Sequence, residues 1–209
     1  VGMFSKNVKH GKGILYNSKG CIKIEGKWNN GNPTDTSNIT EYYANGIPKY
    51  KGEIVNGVWE GKGALYNNKG QYIYKGHFED NKYHGFGQLY SEEKGWIIFE
   101  GELKNGYFSK GILYDDSGNK SIEGEFNKNV LINYGKLYYP DGKSIEFEGE
   151  MILSPSGETH LFKPPVNDIT DGITYMFKKG KKYHKNGKLH FECYYKNGVP
   201  YGNINKYFE

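Results

Sequence analysis

A glycine recurs along the chain at Gly2, Gly26, Gly52, Gly76, Gly101, Gly124 and Gly149, in steps of 24, 26, 24, 25, 23 and 25 residues. A second glycine follows eleven residues later at Gly13, Gly63, Gly87 and Gly135, and ten later at Gly111. That second glycine leads each time into a Leu-Tyr pair: Leu15-Tyr16, Leu65-Tyr66, Leu89-Tyr90, Leu113-Tyr114 and Leu137-Tyr138. A sequence that repeats itself at this period folds as an array of like units, because one such unit cannot bury its apolar face alone.

The period inside a unit is two. Ile24, Tyr50, Tyr74, Phe99, Ile122 and Phe147 stand two residues before the first glycine. Phe4, Trp28, Ile54, Phe78, Leu103, Phe126 and Met151 stand two residues after it, and the flanking positions are polar, as in Glu25 and Lys27, Lys51 and Glu53, Glu100 and Glu102, and Glu123 and Glu125. Alternation of this kind is the signature of a half-buried β-strand. It puts the glycine on the apolar face between bulky groups, where a bare backbone leaves a large neighbour its space. Asn30-Gly31, Asn56-Gly57, Asn105-Gly106 and Asn197-Gly198 follow the first strand, and Asn45-Gly46, Ser117-Gly118, Asp141-Gly142 and Asn186-Gly187 the second. Such pairs accept the positive φ of tight hairpin turns. The expected fold is therefore all-β: an elongated, twisted antiparallel sheet, a solenoid of β-hairpins with two strands per unit of about 23–26 residues. At roughly 4.8 Å per strand, six units make a strip on the order of 60 Å long. Its open ends make a homodimer an expectation as well.

Tyr/Phe-x-Gly-x-aromatic, then Gly-x-Gly-x-Leu-Tyr, then a turn glycine, resembles the MORN repeat (membrane occupation and recognition nexus). The likeness covers residues 1–151. The second unit departs from it, with an insertion from Asn32 to Ile39 and with Ile39 in place of the second glycine, so a local bulge is expected there. Residues 152–171, with Pro155, Pro164 and Pro165, break the period and read as an irregular crossing. Residues 172–209 read as a divergent, lysine-rich terminal unit or cap, with Cys193 at the glycine position. The resemblance implies a scaffold that organises protein partners. It also implies two alternatives: a peripheral membrane binder, and the targeting part of a longer enzyme, since similar repeats precede lipid-kinase and lysine-methyltransferase domains. The start at Val1 falls partway through a motif, which suits a piece of a longer chain and leaves a removed leader open.

Charge and composition narrow the function classes. All 28 basic residues are lysine. Arginine is the preferred reader of phosphates and base edges, so sequence-specific nucleic-acid binding is not expected. Residues 1–171 carry 20 lysines against 22 acidic residues, whereas residues 172–209 carry 8 against 2. No apolar run reaches the length of a membrane-spanning helix, and the first residues lack the apolar core of a signal peptide. These features favour a soluble chain, cytoplasmic or peripheral to a membrane. Cys21 and Cys193 are too few and too far apart for a disulfide framework and read as free thiols. The histidines His10, His77, His84, His160, His184 and His190 share no repeat position and no ligand spacing. Gly11-Lys12-Gly13 and Gly61-Lys62-Gly63 lie on strands with no helix behind them, so they are not phosphate cradles. Trp28, Trp59 and Trp96 stand at non-equivalent positions, unlike the closely spaced tryptophans of choline-binding repeats. Neither a metal, a cofactor nor a catalytic group is expected.

Three sets of residues remain as candidate contact surfaces. The tyrosines Tyr16, Tyr66, Tyr90, Tyr114 and Tyr138 point away from the face of their leucines, and a row of partly exposed rings suits a protein partner. Glu100, Glu102, Glu123, Glu125, Glu148 and Glu150 form a carboxylate row, read either as a solvated face or as an acidic patch for a basic partner. Lys178, Lys179, Lys181, Lys182, Lys185 and Lys188 place six lysines in eleven residues. That cluster suits anionic lipid headgroups, at about 1 kcal/mol per lysine near a membrane surface, or a strand edge that blocks pairing.

Overall fold

The computed structural model describes residues 1–155, 173–196 and 199–207. Seventeen strands and no helix form among them. Every strand pairing observed is antiparallel, as hairpins in series require. Two compact units result, Val1–Trp96 with Leu103–Gly106 and Ile97–Glu102 with Tyr107–Glu209.

The first unit holds β1 (Gly2–Ser5), β2 (Val8–Tyr16), β3 (Ile22–Asn29), β4 (Asn32–Pro33) and β5 (Asp35–Tyr42). It continues through β6 (Pro48–Val55), β7 (Val58–Tyr66), β8 (Tyr72–Glu79) and β9 (Lys82–Tyr90). Strand β10 (Ile97–Lys104) is divided, with Ile97–Glu102 in the second unit. There it is followed by β11 (Tyr107–Tyr114), β12 (Lys120–Asn127), β13 (Val130–Tyr138) and β14 (Ile145–Pro155). The second unit ends with β15 (Ile173–Tyr183), β16 (Leu189–Lys196) and β17 (Val199–Lys206).

The glycines of the repeat meet each other across the strands. In the first unit Gly2 pairs with Gly13 and Gly13 with Gly26, and Gly52 pairs with Gly63, Gly63 with Gly76 and Gly76 with Gly87. In the second, Gly111 pairs with Gly124, Gly124 with Gly135, Gly135 with Gly149 and Gly149 with Gly180. Two forces require bare backbone here. A Cβ on Gly52 would lie 2.5 Å from the Gly63 Cα, and one on Gly63 would lie 2.7 Å from the Tyr50 ring. The row is thus a trench into which the rings of the same strands fold back. Ile39 stands in it between Gly26 and Gly52, and the ladder from β5 to β6 shifts register between Asp35 and Ile39, the bulge expected of the insertion. Cys193 takes the glycine position opposite Gly180 and is buried, and both cysteines are free thiols.

The core is aromatic and built from triplets. Tyr50, Tyr74 and Phe99 are fully buried. Each stacks on a ring of the following strand: Tyr50 on Trp59 at 4.6 Å, Tyr74 on Tyr83 at 4.1 Å and Phe99 on Phe108 at 3.9 Å. The ring after the next first glycine closes two of the sets edge-on, Phe78 against Tyr50 and Trp59, and Phe126 against Phe99 and Phe108, while Tyr74 and Tyr83 meet Phe78 edge-on from the strand of Tyr74 itself. Offset and edge-on pairs add about 0.5–1.5 kcal/mol each to simple area burial. The tyrosines keep their polar ends satisfied: the Tyr50 hydroxyl donates to the Glu53 carbonyl at 2.8 Å and that of Tyr74 to the His77 carbonyl at 2.9 Å.

Asn30-Gly31, Asn56-Gly57 and Asn105-Gly106 form turns with positive φ at both residues. Lys6-Asn7, Asp80-Asn81 and Lys128-Asn129 do the same without glycine. The last two are held by contacts between successive hairpins: the Asn81 side chain accepts from the Trp59 backbone N–H and that of Asn129 from the Phe108 backbone N–H, both at 2.7 Å. Strand β14 runs on through Pro155, so pairing extends past the 151 boundary read from the period. Residues 156–172, which hold most of the expected crossing, and the Asn197-Gly198 turn lie outside the described residues.

Candidate functional site

The side chains flanking each glycine point to the face opposite the aromatic core, as strand alternation dictates. Two rows result on that face. One contains the residue before each first glycine and the residue after each second glycine. The other contains the residue after each first glycine and the residue before each second.

In the second unit the candidate tyrosines and the candidate glutamates meet. The Tyr114 hydroxyl donates to Glu100 Oε2 at 3.1 Å and the Tyr138 hydroxyl to Glu123 Oε2 at 2.6 Å. Tyr183 donates likewise to Glu148 Oε1 at 2.5 Å. In the first unit Tyr42 donates to Glu25 Oε2 at 3.3 Å. Burial, and then the neighbouring carboxylate, raise the phenol pKa of Tyr114, Tyr138 and Tyr183 above its ordinary range. Tyr42 and Tyr183 escape the Leu-Tyr signature because Glu41 and Lys182 precede them. Their spacing does carry the signal, since each lies three residues after the second-glycine position, Ile39 or Gly180.

A local distortion recurs where these tyrosines sit. The ladder to the following strand shifts register at Leu113/Tyr114 and Leu137/Tyr138, and equally at Leu15/Tyr16, Leu65/Tyr66 and Lys182/Tyr183. A bulge re-aims the side chain beside it. In the units with a glutamate before the first glycine, the bulged tyrosine reaches back to the strand it has just left.

The carboxylate row therefore splits. Glu100, Glu123 and Glu148 are half-buried tyrosine acceptors, whereas Glu102, Glu125 and Glu150 are exposed. The remaining Leu-Tyr tyrosines belong to units with no glutamate before the first glycine, and they differ. Tyr16 is exposed. Tyr66 packs its ring 4.9 Å from Tyr72, and its phenol pKa is pushed up to about 12, first by burial and then by its hydrogen bond to Tyr72. Tyr90 donates to Gln88 Oε1 at 2.9 Å and lies 5.3 Å from Tyr72.

The lysine cluster is interleaved with acids. Across the strands Lys136 stands between Glu123 and Glu148, and Lys181 between Glu148 and Glu192. Lys179 pairs with Glu150 and holds its ammonium 5.4 Å from the Tyr194 ring centre. Lys182 places its ammonium 3.4 Å from Glu146. Lys178, Lys185 and Lys188 are exposed, the last two in or beside the β15–β16 turn. A shallow recess of about 240 Å³ lies over this mixed-charge region, lined by Tyr134, Glu148, Glu150, Lys179 and Lys181 among others.

The first unit carries a larger groove, about 710 Å³, on the corresponding face. Its floor is the backbone of Gly52, Gly63, Gly76 and Gly87. Lys51, Lys62, Lys75 and His77 line it together with the rings of Tyr66, Tyr72 and Phe86. No carboxylate does. No single repeat unit contains this set, so no motif of the sequence displays it.

Among the described residues no group of three His, Cys, Asp or Glu side chains is placed to hold a metal ion. No family model matches the chain, and no curated protein matches it.

Proposed function

We propose that this chain is a non-enzymatic repeat scaffold that holds a protein partner on the face opposite its aromatic core, as the MORN-like pattern implies. The observation that carries the reading is the fixing of Tyr114, Tyr138 and Tyr183 by the chain's own glutamates. A tyrosine already locked in place offers ring area and a polar edge without a further loss of rotamer freedom on binding. Repetition multiplies such contacts along one face, which suits an extended partner.

The experiment is retention of a partner from the native lysate by the full chain and by a Tyr114→Ala/Tyr138→Ala variant, with chemical crosslinking to map the contact. Retention by the wild type, with crosslinks on this face and loss in the variant, supports the scaffold. Equal retention by both moves the contact elsewhere, and no retention by either removes the reading.

The anionic-lipid alternative is less favoured by the same geometry. Lys179, Lys181 and Lys182 face carboxylates of their neighbouring strands, so the field of the cluster is largely cancelled locally. The full chain is expected to leave phosphatidylserine vesicles unbound at physiological salt. Salt-sensitive co-sedimentation lost on changing Lys178, Lys179, Lys181, Lys182 and Lys185 to Gln would reinstate the membrane reading.

A further inference from the structure

The row before the first glycine and after the second has different chemistry in the two units. In the second unit it reads Glu123, Lys136, Glu148, Lys181, Glu192 on successive strands. Opposite charges directly across a ladder stabilise each other, so this row neutralises itself. In the first unit the same row reads Lys51, Ala64, Lys75, Gln88. Every carboxylate of the alternation is gone, and the lysines are left. The companion row repeats the change, pairing Lys62 with His77 where the second unit pairs Lys110 with Glu125.

The carboxylates nearest this groove are engaged elsewhere. Glu25 lies in the same row, but Thr40 separates it from Lys51, and it holds the Tyr42 hydroxyl. Glu53 accepts the Lys62 backbone N–H at 3.0 Å and sits over Gly61. Lys51, Lys62 and Lys75 are exposed and make no ion pair among the described residues. Phe86 is 57% exposed beside them. Lysine, aromatic ring and bare backbone thus share one recess that no carboxylate lines.

We propose that this groove takes an extended acidic segment of a protein partner. Its carboxylates pair with Lys51, Lys62 and Lys75, and an aromatic or aliphatic side chain packs on Tyr72 or Phe86. The four floor glycines lie on successive strands, so the groove crosses roughly 14 Å, about four residues of extended chain. Lys51 and Lys75 lie two strands apart, about 10 Å, between the roughly 7 and 13 Å that separate carboxylates two and four residues apart on one side of an extended chain, and flexible lysine side chains close the difference. A bilayer is the weaker fit, because a plane meets protruding charges and these line a recess. A phosphate cradle is also a weaker fit, since the glycine backbone belongs to the sheet ladder. The inference rests on the scaffold reading only in placing the contact, within its own unit, on the face opposite the aromatic core.

The test is fluorescence anisotropy of the full chain with two labelled peptides, Asp-Glu-Tyr-Asp-Glu-Phe-Glu and its amide counterpart Asn-Gln-Tyr-Asn-Gln-Phe-Gln, at low and physiological salt. The acidic peptide is expected to bind at least about tenfold more tightly, with an affinity that falls as salt rises. Lys51→Glu/Lys75→Glu is expected to abolish that binding, and the neutral Lys51→Gln/Lys75→Gln to weaken it about tenfold, with unchanged thermal melts. Lys178→Gln/Lys185→Gln and Tyr114→Ala/Tyr138→Ala are expected to bind the peptide as the wild type does. That separates failure of this inference from failure of the scaffold reading. Equal binding of the two peptides, no binding of the acidic one, or full binding by both groove variants overturns the proposal. Phosphatidylserine vesicles that bind the wild type and release the groove variants would assign the groove to a membrane and overturn it equally.

Discussion

Tyr138 on β13 reaches back across the ladder and sets its hydroxyl 2.6 Å from a Glu123 carboxylate oxygen on β12, while its own backbone bulges against β14. Hydrogen bonds to charged groups contribute more than neutral ones, but this pair is half-exposed, so a net of about 1 kcal/mol is the reasonable expectation. Tyr138→Phe and Glu123→Gln should each lower stability by roughly that amount in urea titrations. A double variant that loses little more than either single one would show that the two act together. Strict additivity would mean that the bond contributes nothing.

Gly87 should not tolerate alanine. A Cβ there would lie 2.5 Å from two ring carbons of Tyr74, whose position is fixed by stacking on Tyr83. Overpacking of this kind destabilises by about 1–3 kcal/mol. The loss should shrink in a Tyr74→Leu background, because the smaller side chain vacates the trench. Thermal melts of the four proteins decide it, and an equal loss in both backgrounds would place the strain in the backbone.

The glycine-free turn at Lys128-Asn129 makes the opposite case. Lys128 holds φ at +48° and Asn129 at +68°. A left-handed lysine is strained by about 1–2 kcal/mol. Lys128→Gly should therefore stabilise the chain by about 0.5–1 kcal/mol after glycine's extra chain entropy is counted. Asn129→Ala should destabilise it by about 1–3 kcal/mol, since it also removes the acceptor of the Phe108 N–H. Chemical denaturation of the two variants reads both signs.

Alkali should unfold the array through its tyrosines. Burial, aided by Glu92 and Tyr43, pushes Tyr83 up to about 12, and burial with the Tyr72 hydrogen bond does the same to Tyr66. An unfolded tyrosine ionises near 10. The folded state thus holds these protons more tightly than the unfolded one. Its stability should be flat below about pH 10 and fall as pH rises toward 12. Melting temperature followed alongside tyrosinate absorbance should show the loss, with titration lagging behind that of free tyrosine. A stability profile flat to pH 12 would contradict the buried placement of Tyr83.

Much of this architecture is legible in the sequence because its causes are local. Period-two alternation about each glycine and the Asn-Gly turns are written within a dozen residues, and they were enough to define antiparallel hairpins and the bulge at Ile39. The core was legible only in part. Tyr50, Tyr74 and Phe99 announce themselves beside the first glycine, but their stacking partners Trp59, Tyr83 and Phe108 do not, because their spacing to the second glycine changes from four residues to three.

The candidate site was divided by the sequence into separate rows that the tertiary structure joins or redistributes. Tyr138 and Glu123 belong to one motif only when β12 and β13 become neighbours and a register shift turns the ring. Lys181 stops being part of a free cationic run when Glu148 and Glu192 close on it from either side. Lys51 and Lys75 become one feature when β7 sets Ala64 between them. Composition fixes which charges a repeat carries. Only strand pairing decides which of them meet, because electrostatics and packing act over a few ångströms of space rather than along the chain.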